Sequence, residues 1–497
     1  MLARTISFTI DGTTVRPVEV EVDVCRGLPS FGLVGLPDTA LREARERVRA
    51  AMENSGYEFP LRRITASLAP ADLRKAGPGF DLALAGALAT AAGEIPPGRL
   101  DGWALVGELG LDGTVRPVRG ALAMAEGARE AGLKGVIVAG LNGPEAALAE
   151  GIGVQTIDAL AELRDVVEDG PPGKEAEAAP LEAAPGRFGP DLADLRGQPG
   201  LRRALEVSAA GAHGLLMVGP PGAGKSLAAR RLPSILPALS REEALEVARI
   251  GGICGQFDPG AGRPFRAPHH TVTRAGLVGG GSPPRPGEIT LAHRGVLFLD
   301  ELPEFRRDVL EALREPLEAG RVEISRASGR YSMPARFMLV AAANPCPCGR
   351  GSSDPGCRCT QPAIDRYSGA LSGALADRID MTVTVAQPGF DSMSGPPGED
   401  SATVRERVEP ARERMEARLG PGRANGEASR EETSRFPISG DGLALLEEAT
   451  RSRRLSGRAH DRVLRLAMTL ADLAGNDEIG GEEMSVALQL RRREVPG

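Results

Sequence analysis

At 497 residues, the chain is too long for a single hydrophobic core, and two or three domains are expected. Its 41% hydrophobic and 26% charged content is that of a globular protein. No run approaches the roughly 18 consecutive apolar residues of a membrane span, which excludes a membrane-embedded role. A formal net charge of −7 excludes a broadly basic, histone-like nucleic-acid binder and leaves a local basic stripe open.

The polar stretch Met1 to Gly12 lacks the apolar run of a secretory leader, so a cytoplasmic location is expected. Six cysteines are few for a disulfide scaffold, and four of them cluster between Cys346 and Cys359. Of the 60 cationic side chains only Lys75, Lys134, Lys174 and Lys225 are lysine. Each lysine is therefore informative, because a compact ammonium and a planar guanidinium are not interchangeable between phosphates.

Residues 1–166 alternate short strand-like runs with amphipathic helical stretches. Val15 to Val24 has period two, Thr39 to Asn54 is helix-like, and Trp103 to Val118 reads as a hairpin turning at Asp112-Gly113. A helix through Ala131 and a strand Gly135 to Ala139 follow. Residues 167–189, rich in Pro, Gly, Ala and Glu, read as a linker.

A second α/β domain is expected over 190–386, with buried parallel strands at Leu215 to Val218, Val296 to Leu299 and Phe337 to Ala342. Residues 387–432 read as a flexible segment followed by a charged, exposed helix, Val404 to Leu419. Residues 433–497 carry three helical patterns, Gly440 to Arg451, Arg458 to Ala474 and Gly481 to Arg492, suited to a small C-terminal bundle. No repeat of solenoid period is present.

The segment Gly219-Pro220-Pro221-Gly222-Ala223-Gly224-Lys225-Ser226 satisfies G-x-x-x-x-G-K-[ST]. It follows an apolar strand and precedes a helix-compatible stretch, which is the context this phosphate-binding loop requires. In such a loop, backbone N–H groups wrap the phosphates of ATP, Lys225 reaches the β- and γ-phosphates, and Ser226 ligates Mg²⁺.

Val296 to Leu299 ends in Asp300 and Glu301, where Asp300 would hold Mg²⁺ and Glu301 would polarise the attacking water. Asn344 ends the third strand and is placed either to touch the γ-phosphate or to cap the strand. Arg378, in Leu375-Ala-Asp-Arg-Ile-Asp380, reads as an arginine finger toward a neighbouring subunit or as a surface pair with Asp380. Arg458 starts a C-terminal helix and reads as a second γ-phosphate sensor or as part of a solvated basic face with Arg451, Arg453 and Arg454.

The cysteines run C-x-C, eight residues, C-x-C. Cys346, Cys348, Cys357 and Cys359 can close a tetrahedral Zn²⁺ site or remain free thiols in a Gly-rich loop. His269 and His270 in Ala267-Pro-His-His-Thr read as a metal or substrate pair or, more simply, as loop structure, since no partner ligand is evident.

Four longer stretches carry a resemblance: Arg266-Ala-Pro-His-His-Thr-Val, Pro286-Gly-Glu-Ile-Thr-Leu-Ala-His293, Gly295-Val-Leu-Phe-Leu-Asp-Glu-Leu-Pro-Glu-Phe305 and Asn344-Pro-Cys-Pro-Cys-Gly349. With the phosphate loop they make the chain closely similar, nearly end to end, to the YifB/ComM group of magnesium-chelatase-like AAA+ ATPases. The resemblance implies a P-loop core with a parallel sheet, an insertion ahead of the second acidic strand and a helical lid. It further implies a homo-hexameric ring with nucleotide between subunits and, for ComM members, a DNA helicase driving branch migration in natural transformation. The alternative it carries is a chelatase-type ATPase subunit that remodels a protein partner.

The first domain resembles the proteolytic domain of Lon, of ribosomal S5 domain 2-like fold. Gly79 follows Lys75-Ala-Gly-Pro78 where Lon carries its serine, and Leu122 aligns with the dyad lysine. Without a nucleophile or base, a scaffold or partner-binding module is expected and peptidase activity is not. Ala376, where the finger motif usually has leucine, is a further departure.

Overall fold

The computed structural model describes residues 1–35, 39–73, 75, 77–164, 173–181, 189–281, 284–326, 329–352, 354–371, 375, 378–389, 394–453 and 455–491. They form two compact units, Met1–Glu182 with Ala244–Gly260 and Gly281–Pro286, and Ala183–Glu243 with Ala261–Gly280 and Gly287–Gly497. Two segments from inside the expected ATPase core thus cluster with the first unit. Ala376 lies outside the described residues.

In the first unit, the period-two run becomes the strand Thr14–Cys25, which buries Val18, Val20, Val22 and Val24. It pairs antiparallel with Leu2–Asp11 and Arg63–Ala69 at the heart of an eight-stranded sheet. Trp103–Val106, Gly135–Ala139 and Gly153–Ile157 extend that sheet in parallel. Side-chain alternation sends Leu105 and Ile137 to one core and Ala104, Val106, Val136 and Val138 to the other.

Thr39–Asn54 and Asp81–Ala92 cover the first face. The latter helix is apolar on all sides, and ten of its residues are buried. Asp81, at its start, takes a two-armed ion pair from Arg47 at 2.7 and 3.0 Å, which ties the two helices together. Ala121–Glu130 covers the second face and buries Leu122. The expected hairpin is present as Glu108–Leu109 against Val115–Arg116. Part of the expected linker is structured: Lys174–Glu175 adds an edge strand to Gly153–Ile157, and Ala179 N–H donates to the Pro144 carbonyl. Backbone pairing there needs no apolar pattern, so composition concealed it.

The second unit centres on five parallel strands in the order Phe265–Arg266, Val296–Leu299, Met338–Ala343, Leu215–Val218, Met381–Thr384. Leu215, Met217, Phe298, Val340 and Ala342 face one core; Leu216, Val218, Leu297, Leu299, Leu339 and Ala341 face the other.

The helix Ser401–Leu419 corrects one expectation. It is charged, yet Val404, Val408, Ala411, Met415 and Leu419 form one buried stripe against the strand core. The stripe is narrow, and the Arg and Glu residues beside it make the segment look wholly exposed. The preceding residues are tied down as well, with Gly398 N–H donating to Ala193 and Glu399 pairing with Arg407 at 2.6 Å. Gly440–Arg453, Gly457–Ala474 and Gly481–Leu490 form the C-terminal helices, and Val463, Leu466, Leu470 and Met484 join the same core. The C-terminal helices and the parallel sheet therefore share one core. Among the described residues, no helix is long and apolar enough to cross a membrane.

Glu145 yields a pH prediction for the first unit. Its carboxylate accepts the Leu122 N–H at 3.3 Å, yet burial lifts its pKa from 4.5 to about 7. Because the folded-state value is the higher one, stability is fully present below about 4.5 and is lost as pH rises through about 7. Glu145→Gln should match wild type at pH 5 and be more stable than it at pH 8, by up to roughly 3 kcal/mol, and so melt at a higher temperature there. Melting curves at the two pH values check this.

Candidate nucleotide site

Because every strand of the second sheet runs the same way, the residues that follow the strands gather at one edge. Gly219 to Ser226 follows Leu215–Val218, Asp300 and Glu301 follow Val296–Leu299, and Asn344 follows Met338–Ala343. Gly224, at φ +93°, turns the loop into the helix Lys225–Arg231, a conformation that strains a residue with a Cβ. Pro220, Pro221, Gly222 and Ala223 form the loop's tip, closed by Ala223 N–H to the Pro220 carbonyl at 3.3 Å.

Lys225 is buried and folds back over its own loop. Its Nζ donates to the carbonyls of Gly219 and Pro220 at 2.5 and 2.9 Å and to Asn344 Oδ1 at 3.1 Å. Burial pulls its pKa below the usual lysine value, and Asp300 and Glu301 offset this only in part. An ammonium held by neutral oxygens in this way is poised to accept an anion. Ser226 Oγ donates to Asp300 Oδ2 at 2.6 Å. This pair of hard oxygen ligands suits Mg²⁺.

Two contacts at this edge are not read from the sequence. His270 Nδ1 lies 3.3 Å from Glu301 Oε2, and the His269 and His270 ring centroids are 4.0 Å apart. The parallel pairing of Phe265–Arg266 with Val296–Leu299 brings the histidine loop there, and no spacing rule links residues 31 positions apart. Gln198 Nε2 donates to the Ala223 carbonyl at 2.9 Å. A lone glutamine carries no signal in sequence.

The four cysteines also gather close by. Their sulfur atoms all lie within 4.8 Å of one another, in the loop that leaves Asn344.

Arg378 and Arg458 are not at this edge. They line a cleft of about 710 Å³ with Arg336, Arg423, Arg462 and Arg465, next to Gly214 and Phe337, which precede their strands. A four-residue strand at about 3.3 Å per residue puts this cleft about 13 Å from the phosphate loop. Arg378 pairs with Glu318 at 2.5 Å rather than with Asp380, and Arg458 is exposed in the first turn of Gly457–Ala474.

Asp380 is engaged elsewhere. It accepts the Gly214 N–H at 3.0 Å and faces His213 Nδ1 at 3.5 Å and Arg462 Nε at 3.2 Å. Burial pushes its carboxyl up, but the close approach of His213 with the Arg462 charge outweighs it and holds the pKa below the usual range. This cluster clips the helix that bears Arg458 to the strand that follows Arg378.

A parallel sheet with strand-end glycine loop, lysine, paired acids and asparagine defines a P-loop nucleotide-binding fold of the AAA+ type. Family models agree along the chain: "Magnesium chelatase, subunit ChlI" matches residues 191–393, "Subunit ChlI of Mg-chelatase" residues 20–142, and "Magnesium chelatase, subunit ChlI C-terminal" residues 398–491. The chain is 44% identical to an uncharacterized protein of Mycobacterium tuberculosis, over 99% of both chains. It is 43% identical to the uncharacterized protein YifB of Escherichia coli, over 97% of this chain and 95% of that one. It is 39% identical to competence protein ComM of Haemophilus influenzae, over 95% of this chain and 94% of that one. The chain belongs to the magnesium-chelatase-like AAA+ ATPase family that includes YifB and ComM.

Asp380→Ala removes the carboxylate between His213 and Arg462 and should destabilise the second unit by roughly 3 kcal/mol. Chemical denaturation of wild type and variant measures the loss.

Proposed function

We propose that this protein is a ring-forming motor that hydrolyses ATP with Mg²⁺ and acts on DNA, as a branch-migration helicase of the competence type. The observation that carries the ATP reading is the meeting of Lys225, Asn344, Ser226 and Asp300 at one sheet edge. Lys225 leaves its carbonyl partners to bind the β- and γ-phosphates. Ser226 and Asp300 hold the Mg²⁺ that neutralises phosphate charge. Glu301 polarises the attacking water, and Asn344 orients that water or the γ-phosphate.

The opposite end of the sheet supports the ring. Arg378 and Arg458 cannot span the sheet to their own subunit's phosphates, so they serve the nucleotide of the next subunit in a homo-oligomer, taken to be a hexamer. Arg378→Ala should keep ATP binding and lower kcat by roughly a thousandfold. Equilibrium nucleotide binding and steady-state ATPase rates check the two halves of that statement.

Two observations support DNA as the substrate. One is the relative named for competence. The other is the hairpin Arg321–Arg326 with Gly329–Pro334, whose exposed Arg326 and Arg330 lie side by side toward its end, Arg330 in an ion pair with Glu323, on an acidic chain. Arg326→Ala with Arg330→Ala should leave the basal ATPase rate intact while reducing its stimulation by DNA, most clearly at low salt. ATPase assays with and without single-stranded or branched DNA measure this. Branch migration of a synthetic four-way junction by wild type and its loss in Lys225→Ala test the whole reading; a wild type that neither binds nor moves the junction contradicts it.

The family models favour a second reading, a chelatase-type ATPase subunit that remodels a protein partner. ATPase activity indifferent to DNA, together with co-purification of a large partner subunit, would select it.

A further inference from the structure

We propose that Cys346, Cys348, Cys357 and Cys359 bind one zinc ion, and that this ion fastens the loop behind Asn344 onto the phosphate loop, so that nucleotide binding depends on it. The coupling rests on the reading of Gly219 to Ser226 as the ATP site; the metal site does not.

The donor set comes first. Sulfur separations are 3.3 Å for Cys346 with Cys348, 3.8 Å for Cys346 with Cys357 and 3.6 Å for Cys348 with Cys357. Four thiolates at about 2.3 Å from a tetrahedral ion lie about 3.8 Å apart, so these three sulfurs are near the spacing required, and Cys359 Sγ lies within 4.8 Å of each of them. Gly351 N–H donates to Cys346 Sγ at 3.2 Å, and the Arg350 N–H points to Cys348. Backbone donors of this kind stabilise ligand thiolates. An all-sulfur set selects zinc over Mg²⁺ or Ca²⁺.

The loop also brings no apolar core of its own. From Pro345 to Thr360 it contains only Pro, Cys, Gly, Arg, Ser, Asp and Thr, without one aliphatic or aromatic side chain. It cannot bury a core of its own, and metal binding is the usual substitute.

Its position gives the ion a consequence. Cys346 is buried two residues after Asn344, the partner of Lys225. Gly349, inside the first turn of the cluster, takes φ +84° and lies so near the phosphate loop that an added Cβ would sit 2.6 Å from Pro221 Cδ. After Cys359 the chain enters the helix Gln361–Leu371, whose Tyr367 hydroxyl meets the Asn344 backbone. The cluster therefore anchors both chain segments that frame Asn344 and presses one of them on Pro221.

The test uses the purified full-length protein, with zinc content by mass spectrometry and affinity for a fluorescent ATP analogue. Wild type should carry about one zinc per chain. Cys348→Ser with Cys357→Ser should lose the zinc and bind the analogue at least about tenfold more weakly. Gly349→Ala should keep the zinc and still bind more weakly, which separates the contact on Pro221 from folding of the loop. Lys225→Ala should keep the zinc and lose the analogue. Absence of zinc from wild type, or a zinc-free variant with wild-type affinity, overturns the proposal. Zinc in a wild type that binds no nucleotide overturns the ATP reading and the coupling together and leaves the metal site standing.

Discussion

The five strands of the second sheet run parallel, and that single polarity decides which residues can meet. Whatever follows a strand arrives at one edge, and whatever precedes it arrives at the other. Lys225, Ser226, Asp300, Glu301, Asn344 and His270 share the first edge; Gly214, Arg378, Asp380 and the arginines of the C-terminal helix share the second. In the proposed reading, one subunit carries the two halves of an ATPase centre on opposite ends of the sheet, and the centre is completed by a neighbour.

The two edges differ. On the far edge, buried Asp380 joins His213, Gly214 and Arg462, so the C-terminal helices share a core with the sheet and hold their arginines at a fixed height. On the near edge the cysteine loop, which carries no aliphatic or aromatic side chain of its own, lies against Pro221.

Much of this was legible in the sequence because local rules govern it. Strands Leu215–Val218, Val296–Leu299 and Gly135–Ala139 and the helix Thr39–Asn54 have the bounds that apolar runs and periodicity imply. The phosphate loop and its acids are short motifs with strict geometry. What stayed hidden depends on tertiary pairing. Glu301 meets His270 only because two distant strands lie side by side, and Arg378 takes Glu318 as its partner instead of the nearby Asp380. The helix Ser401–Leu419 hides a five-residue buried stripe among charges, and Lys174–Glu175 joins a sheet through backbone bonds that no side chain advertises.

The division of the centre between two subunits is tested most directly by mixing two inactive proteins. Lys225→Ala lacks the phosphate-binding ammonium and Arg378→Ala lacks the arginine of the far edge, so each alone should hydrolyse almost no ATP. Mixed and allowed to exchange subunits, they form interfaces in which an intact phosphate loop faces an intact Arg378, and the account predicts that ATPase activity returns. A mixture as inactive as its components, or an Arg378→Ala protein with full activity alone, would contradict it.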